Sequence, residues 1–410
     1  MKNAIVLPGI SDFQSEAISI RRQIHAHPEL GFEEFATSEL VAKLLAEWGY
    51  EVARIAGTGV VATLRNGEGR SLGIRADMDA LPIEEVTGLS YSSTVPGKMH
   101  ACGHDGHTAM LLAAARHLAQ SRDFHGALHL IFQPAEEGLG GAARLLGEGL
   151  FERFPCDAVF AMHNVPGQPV GRFGFRSGAF MASADTVTIR IIGHGGHGAV
   201  PHKAVDPVVV CSAVVMALQT VVSRNVDPQD AAVITVGSIH SGTASNIIPD
   251  AAEMSVTVRS LSPEVRREVE ARICGLVHAQ AESFGARAVI NYERCHPVLI
   301  NHPVETEFAQ DVARQWLGPE ASILNAHPIM ASEDFAFMLE RCPGSYINIG
   351  NGEASHPLHN PSYDFNDEVL AIGATYWVKL AERFLATPAQ SDITRRTAGI
   401  AAQRPCAATE

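Results

Sequence analysis

The order in which two kinds of apolar pattern follow each other along this chain limits the folds that it can adopt. In the first part, short apolar runs typical of strands, at 71–76, 127–132 and 158–162, lie on either side of a helical run at 108–119. Strands that alternate with helices form a mostly parallel sheet with helices packed on its faces. We therefore predict an α/β fold with a mostly parallel central sheet for this part of the chain.

The middle of the chain has a different pattern. A period-two run at 186–192 is followed by a long apolar helix at 206–222, then by two strands and a charged amphipathic helix at 263–284 that leads into a further strand. Alternating apolar residues are typical of strands with one buried face, and apolar residues at helical spacing are typical of helices. This βαββαβ order predicts a self-contained α+β insert at 184–297.

From residue 302 onward, helix and strand alternate again. A chain of 410 residues exceeds the roughly 250–300 residues at which one hydrophobic core stops growing, so two domains are expected. We predict a large domain formed by 1–183 and 298–386 and split by the insert. The tail at 387–410 is polar and without periodicity, and we expect it to be poorly ordered.

The composition excludes several classes of function. The formal net charge is −14 and no cluster of Lys and Arg occurs, so we expect no nucleic-acid partner. No uninterrupted apolar run of about 18 residues is present and the N-terminal apolar run is short, so we expect no membrane partner and a cytoplasmic protein. Seven cysteines without paired spacing predict free thiols.

Acidic and imidazole side chains follow three of the predicted strands. Asp77 and Asp79 come after the first, Glu136 and Glu137 after the second, and His163 directly after the third. Open α/β sheets bind ligands beyond the carboxyl ends of their strands. The sequence therefore predicts that these groups meet in one crevice.

The segment 99–107 concentrates three histidines, a thiol and a carboxylate in nine residues. Its Cys102 and His104, beside carboxylates, form the mixed sulfur, nitrogen and oxygen set that transition metals prefer. His356 and His359, in a loop with two prolines, offer one more ligand to such a site. We predict that a metal binds here.

The adjacent acids Glu136 and Glu137 need a nearby cation if both are held at one site. Successive side chains on an extended backbone diverge, so one can bind a metal while the other reaches a metal-bound water. A solvated acidic turn is the alternative interpretation.

Residues 193–198 also satisfy G-x-G-x-x-G, but no acid lies between Asp206 and Asp227, which disfavours a dinucleotide site.

Taken together, these motifs resemble the M20 metallopeptidases, and most closely their aminoacylase and hippurate-hydrolase branch. The resemblance spans about residues 15–386. It is carried by RADMDALP at 75–82, MHACGHDGH at 99–107, QPAEEG at 133–138, GGHGA at 195–199, SNIIP at 245–249 and LHNP at 358–361.

The resemblance implies two divalent metal ions and roles for particular residues. Cys102 stands where other members carry the aspartate that bridges the metals, and its thiolate is softer than a carboxylate. By analogy with the family, this implies zinc, manganese or nickel. Glu136 would be the general base, and Arg75, Asp77 and Asp79 would orient the ligands. The implied metal ligands are Cys102, His104, Glu137, His163 and His359.

The resemblance also implies that the insert is a lid and dimerisation domain. His197 would reach the partner subunit's active site and stabilise the oxyanion, and Asn246 would help to bind the substrate. A homodimer, possibly a tetramer, is therefore expected.

The expected reaction is hydrolysis of the amide bond of an N-acyl amino acid, hippurate-like or acetylated, by a metal-bound water whose proton Glu136 takes. A dipeptidase or carboxypeptidase with the same machinery, a metal-free binding protein and a dinucleotide-binding protein are the alternatives. Serine-hydrolase and other zinc-protease signatures are absent from the sequence.

Overall fold

The computed structural model describes residues 6–386, so the tail predicted at 387–410 lies outside the described residues. The α-helices of the described part are α1 Pro8–Ala26, α2 Phe35–Glu47, α3 His104–Ser121, α4 Gly141–Gly147, α5 Leu150–Arg153, α6 Pro207–Asn225, α7 Pro263–Ser283, α8 Pro303–Leu317, α9 Phe335–Leu339 and α10 Glu368–Phe384. Its strands are β1 Glu51–Ile55, β2 Gly59–Asn66, β3 Ser71–Asp77, β4 Gly126–Gln133, β5 Ala158–Pro166, β6 Phe173–Phe175, β7 Gly178–Met181, β8 Ser183–Ile192, β9 Gly196–His197, β10 Ala232–Ser241, β11 Ile247–Ile248, β12 Ala251–Ser260, β13 Arg287–His296, β14 Leu299–Asn301, β15 Ser322–Leu324 and β16 Gly344–Gly352.

An eight-stranded sheet in the order β1-β2-β4-β3-β5-β16-β6-β15 forms the centre of the larger part. Its four central strands run parallel, and antiparallel pairs occur toward the two edges. The predicted α/β fold with a mostly parallel central sheet is confirmed. Both faces of this sheet are covered, which explains why β4 is buried at every position and reads as a continuous apolar run.

Side chains of the sheet alternate between two cores. On β5, Phe160 belongs to the core formed with α1, α3 and α10, whereas Val159 belongs to the core with α4, α5 and α9. This follows from the period of two in an extended strand. Helices therefore press on both faces of the sheet, and only the ends of the strands remain open to ligands.

The inserted unit has its own sheet, in the order β10-β12-β8-β13, with antiparallel pairing throughout. The helices α6 and α7 cover one face, and their shared core draws on residues from Val187 to Ala288. The chain order β8-α6-β10-β12-α7-β13 is the predicted βαββαβ order. The limits 184 and 297 remain our proposal for the domain boundaries.

Helix α6 is the one described helix that is long and apolar enough to cross a membrane. Its stripe of Val210, Val214, Leu218 and Val221 is buried against the insert's sheet. The core helix of a folded domain can have the same length and composition as a membrane-spanning helix. The packing of this stripe against the sheet is that of a core helix.

The structure corrects the predicted end of one strand. We expected His163 to follow its strand, but β5 continues to Pro166 because β16 pairs with it in parallel as far as that residue. His163 therefore projects from within β5. Short or edge strands were not predicted, among them β1, β6, β7, β14 and β15.

Replacing Leu130 by Ala is expected to lower the free energy of unfolding by about 2–5 kcal/mol, because the side chain is fully buried in the middle of β4. Chemical denaturation followed by circular dichroism measures this change. The control Val304→Ala, at a side chain that is 73% exposed on α8, should change the free energy by less than about 0.5 kcal/mol. Equal effects of the two substitutions would contradict the burial described here.

Candidate active site

A cavity of about 490 Å³ lies at the carboxyl end of the central parallel strands. Thiol, imidazole and carboxylate groups meet at one part of it, whereas most of the remaining lining is apolar or uncharged. It is lined by Cys102, Glu136, Glu137, His163, Asn164, Val165, Pro166, Gly167, Met181, Ile329, Ala331, Ser332, Glu333, Tyr346, Asn348, Ser355, Pro357, Leu358 and His359.

Several groups of three possible donors occur at this site, and two of them contain all five predicted metal ligands and share one thiol. The donor atoms of Cys102, His104 and His163 lie within 4.8 Å of one another, and so do those of Cys102, Glu137 and His359. The Cys102 Sγ lies 3.4 Å from the His163 Nε2. A shared donor between two sets of three is the arrangement that a bridging ligand between two ions requires.

A tight turn between Cys102 and His104 sets their positions. Gly103 has a φ of 92°, and a side-chain carbon at this residue would lie 2.4 Å from the side-chain amide nitrogen of Asn164. Only glycine fits this turn, which opens α3. Ala135 and His359, beside or within the site, also have left-handed backbones, with φ of 54° and 62°. Such conformations are costly for residues with a side chain and are concentrated at functional sites.

Hydrogen bonds orient two of the imidazoles. His163 Nδ1 lies 2.8 Å from the carbonyl oxygen of Asn164, so it donates there and leaves Nε2 as a free lone pair toward Cys102. His104 Nδ1 lies 2.9 Å from the carbonyl oxygen of Asp79. The buried His104 Nε2 has no hydrogen-bond partner in the described part of the chain. Metal-binding histidines present this pattern, with one nitrogen bonded to the protein and the other free.

The electrostatics of the site favour a bound cation. Burial raises the pKa of the Cys102 thiol well above its ordinary value, and the nearby Glu137 and Glu136 raise it further. Burial opposes protonation of His104, but Asp77 and Asp79 outweigh it and raise its pKa to about 10. Thiolate formation beside carboxylates needs a compensating positive charge, which a metal ion supplies. The donor set and its charge therefore fit two divalent metal ions.

Glu136 lies beside the donors and is only 7% exposed. Burial raises its pKa well above the ordinary value, and the carboxylates of Glu333, Glu137 and Asp334 add to this effect. A carboxyl group that holds a proton more tightly is suited to take one from water and to give it up later.

A buried ion network supports the donors from behind. Arg75 lies 2.6 Å from Asp77, 2.9 Å from Glu333 and 3.2 Å from Asp334, and all four side chains are at most 2% exposed. Asp77 also accepts a 2.6 Å hydrogen bond from His107. Glu333 and Asp334 were not predicted to belong to the site. They are two adjacent acids that precede an apolar helix, and in this they resemble the pair at 136–137. The network holds the Asp77 carboxylate beside His104, with 3.7 Å between a carboxylate oxygen and the His104 Nε2.

His197 and Asn246 lie elsewhere in the same chain. His197 is in β9, which pairs with β11, and Asn246 directly precedes β11. The Gly198 amide donates to the carbonyl oxygen of Asn246 at 2.8 Å. Both are exposed, and neither is among the described residues that line the cavity. The Ala199 amide donates to the His197 Nδ1 at 3.0 Å, which leaves the proton on Nε2.

The residues 193–198 do not form a dinucleotide-binding turn. They follow β8 and include β9, and α6 begins only at Pro207. A phosphate-binding turn of that type leads directly from a strand into a helix N-terminus. This geometry disfavours the dinucleotide alternative.

A split α/β domain, an α+β insert and two donor sets that share a thiol define a two-metal hydrolase. Residues 73–383 match the peptidase family M20/M25/M40, and the chain belongs to this family.

Relatives and a solved structure are similar over nearly the whole chain. Hippurate hydrolase of Campylobacter jejuni is 47% identical over 382 residues, which cover 93% of this chain and 99% of that protein. N-acetyl-L-cysteine deacetylase of Bacillus subtilis is 39% identical over 389 residues, with coverages of 94% and 92%. A dinuclear metal binding peptidase of the M20 family from Bacillus subtilis has a TM-score of 0.81 and 34% identity, and the match covers 92% of this chain and all of that one.

Asp79→Asn is expected to lower metal affinity by about 10–100-fold, because Asp79 holds the His104 Nδ1 and the amide of Glu137 through its carboxylate. Competition with a coloured chelator measures this affinity. Asp230→Asn, at an exposed position of the insert, is the control and should leave it unchanged. Wild-type affinity in Asp79→Asn would show that this carboxylate does not support the donors.

Proposed function

We propose that this protein hydrolyses the amide bond of N-acyl amino acids, and that Cys102 belongs to both sets of residues that would hold two divalent metal ions. The observation that carries the proposal is the placement of the Cys102 thiol in both donor sets. His104 and His163 complete one set, and Glu137 and His359 complete the other. The soft thiolate favours zinc or nickel over magnesium or calcium, and manganese is included by analogy with the family.

When bound, the two ions supply Lewis-acid chemistry that makes water a stronger acid and polarises the substrate carbonyl. Glu136 accepts the proton of the attacking water, since its carboxylate lies beside the donors and lines the cavity. After attack it returns the proton to the leaving nitrogen. The raised pKa of Glu136 supports this second step, because a carboxylic acid must form before it can donate.

The amino-acid half of the substrate carries a free carboxylate and needs a cationic partner. No Lys or Arg occurs among the described residues that line the cavity. Arg259, at the end of β12 in the insert, donates to the hydroxyl of Ser332 at 2.9 Å, and Ser332 lines the cavity. We assign Arg259 to the substrate carboxylate, so the amino-acid half lies toward the insert.

His197 and Asn246 act, in this proposal, on the active site of a partner subunit. The His197 Nε2 proton is free to donate to a developing oxyanion, a contribution worth about 3–4 kcal/mol for a well-placed donor. The insert, residues 184–297, serves as the lid and dimerisation domain. Its exposed apolar side chains on α6, Val208, Val209 and Met216, supply surface for such contacts.

We also place the enzyme in the cytoplasm. The six cysteines of the described part form no disulfide, as is usual in a reducing compartment.

Turnover of benzoylglycine, acetyl amino acids and dipeptides by metal-stripped and metal-restored protein tests the proposed function. Stripping should abolish hydrolysis of the acyl amino acids, and restoration should recover it. Faster turnover of dipeptides than of every acyl amino acid would favour the dipeptidase alternative instead.

Glu136→Gln should reduce kcat by at least about a hundredfold, because the amide cannot accept the proton of water. Metal analysis of the same sample should still find two ions per subunit, since Glu136 is not one of the five proposed ligands. Near-wild-type turnover with both ions bound would exclude Glu136 as the base.

His197→Ala should lower kcat by about 100–1,000-fold without loss of metal. Mixing this variant with Glu136→Gln tests whether the histidine acts across the dimer. Half of the randomly reassociated dimers are hybrids, and each hybrid has one site with both intact residues, so about a quarter of wild-type activity should return. Activity that stays at the level of the separate variants would place His197 outside the partner's site.

A further inference from the structure

Glu34 is a buried carboxylate that the proposed mechanism does not use. Its side chain has no exposed surface, and no cation among the described residues pairs with it. A buried charge of this kind is costly unless hydrogen bonds compensate for the lost water. The Thr58 hydroxyl donates to one carboxylate oxygen, and the Ala135 amide donates to the other at 2.8 Å. Glu34 therefore connects the start of α2 to the residue that directly precedes Glu136.

The Glu34 carboxylate does not stabilise the helix that follows it. Glu34 is at the N-cap position of α2, but its side chain accepts no hydrogen bond from the first turn of that helix. Glu29 has this role instead, because its two carboxylate oxygens accept from the amides of Ala36 and Thr37, each at 2.9 Å. The Glu34 side chain therefore supports the loop after β4 and not α2.

Ala135 has a backbone conformation that needs support from its surroundings. Its φ of 54° lies in the left-handed region, which residues with a side chain rarely adopt. Glu34 holds its amide, and the Gly141 amide donates to its carbonyl oxygen at 3.0 Å. The segment before α2 also packs against it, since a side-chain carbon at Gly31 would lie 2.9 Å from the Ala135 Cβ. Contacts from outside the turn thus maintain its conformation.

Glu136 lies between two attachments of this loop. The Ala135 amide before it donates to Glu34, and the Glu137 amide after it donates to the Asp79 carboxylate at 2.9 Å. Both accepting side chains are buried. The orientation of the peptides on either side of a residue decides where its side chain points. A catalytic group that moves by about 1 Å can lose about a hundredfold in rate, so these attachments matter for the base.

We propose that Glu34 is a positioning residue, which directs the Glu136 carboxylate by holding the left-handed turn at Ala135. Glu34 is not among the described residues that line the cavity, so it acts through the backbone of the loop and not on the substrate. This inference rests on the proposed function, in which Glu136 is the base. It adds to that function a residue outside the cavity and outside the proposed ligand set.

Three variants separate this role from a purely structural one. Glu34→Ala removes the acceptor and should lower kcat by about tenfold or more with both ions bound, while KM for benzoylglycine changes by less than about threefold. Glu34→Gln keeps an oxygen that can accept from the Ala135 amide and should retain at least about a third of the wild-type kcat. The control Glu29→Ala removes acceptors of α2 only and should change kcat by less than about twofold.

Hydrogen exchange of the metal-free protein measures the turn independently of activity. Mass spectrometry of short overlapping peptides follows the Ala135 amide. Its exchange should become about tenfold faster or more in Glu34→Ala, because the amide loses its acceptor. In Glu34→Gln and Glu29→Ala the rate should stay within about threefold of wild type.

Wild-type kcat in Glu34→Ala, or equal losses of kcat in Glu34→Ala and Glu29→Ala, would overturn the inference. Equal losses in Glu34→Ala and Glu34→Gln would also contradict it, because the hydrogen bond to the Ala135 amide would then not position the loop. A wild-type protein that hydrolyses no acyl amino acid with both ions bound would overturn the proposed function instead. Faster exchange in Glu34→Ala would in that case still support the hold of Glu34 on the turn.

Thr58→Val decides the question if Glu34→Ala does not fold. This substitution removes one of the two hydrogen bonds to the Glu34 carboxylate, which then holds the Ala135 amide less firmly. We expect kcat to fall by about threefold and exchange at Ala135 to become faster by a similar factor. No change in either quantity would overturn the inference.

Discussion

An excess of buried negative charge at the carboxyl ends of three parallel strands is the constraint on which this structure depends. Six carboxylates, from Asp77, Asp79, Glu136, Glu137, Glu333 and Asp334, lie among the donor groups or directly behind them. Arg75 balances only those behind the donors. Unpaired buried charge is costly, so the front of this cluster is stable only with bound cations or bound protons. Metal binding and the fold of this region are therefore coupled, since the same ions that would activate water also neutralise the core.

The buried network behind the donors sets the positions of the donor atoms, on which the coupling between metal binding and folding depends. Asp79 accepts from the Glu137 amide, and its carbonyl oxygen accepts from His104, so one residue positions a ligand of each set. Asn164 does the same for the thiol, because its side-chain amide donates to the carbonyl oxygen of Cys102 at 2.8 Å. The proposed ligands are thus oriented by groups outside the proposed ligand set, as the outer partners of metal-binding side chains do.

The sequence was most informative where one physical rule acts alone. Buried central strands such as β4 are continuous apolar runs, and the density of ligand-type side chains at 99–107 has no packing explanation. The edge strand β1 was not predicted because Glu51 and Arg54 break its apolar pattern, as solvent exposure of an edge strand permits. Glu333 and Asp334 precede a helix of five residues, too short to give a periodic signal. They contact Arg75, which is more than 250 residues away in the sequence, and local sequence patterns do not predict contacts between such distant residues.

The position of the insert beside the cavity lets both parts of the chain contribute to the site. In our proposal, a second subunit contributes as well. The insert leaves the larger part after β7 and returns to it at β14, and these two strands pair with each other. Both connections therefore lie side by side, next to Met181 at the cavity wall. In our proposal, these two adjacent connections act as a hinge, so that the insert moves as one body while the central sheet holds the proposed metal ligands fixed. Residues that must stay rigid lie on the sheet, and those proposed to approach the substrate, Arg259, His197 and Asn246, lie on the insert. Closure of the insert can then bring donors to the reacting carbonyl after the substrate has entered, without disturbing the ion pair network behind the metals.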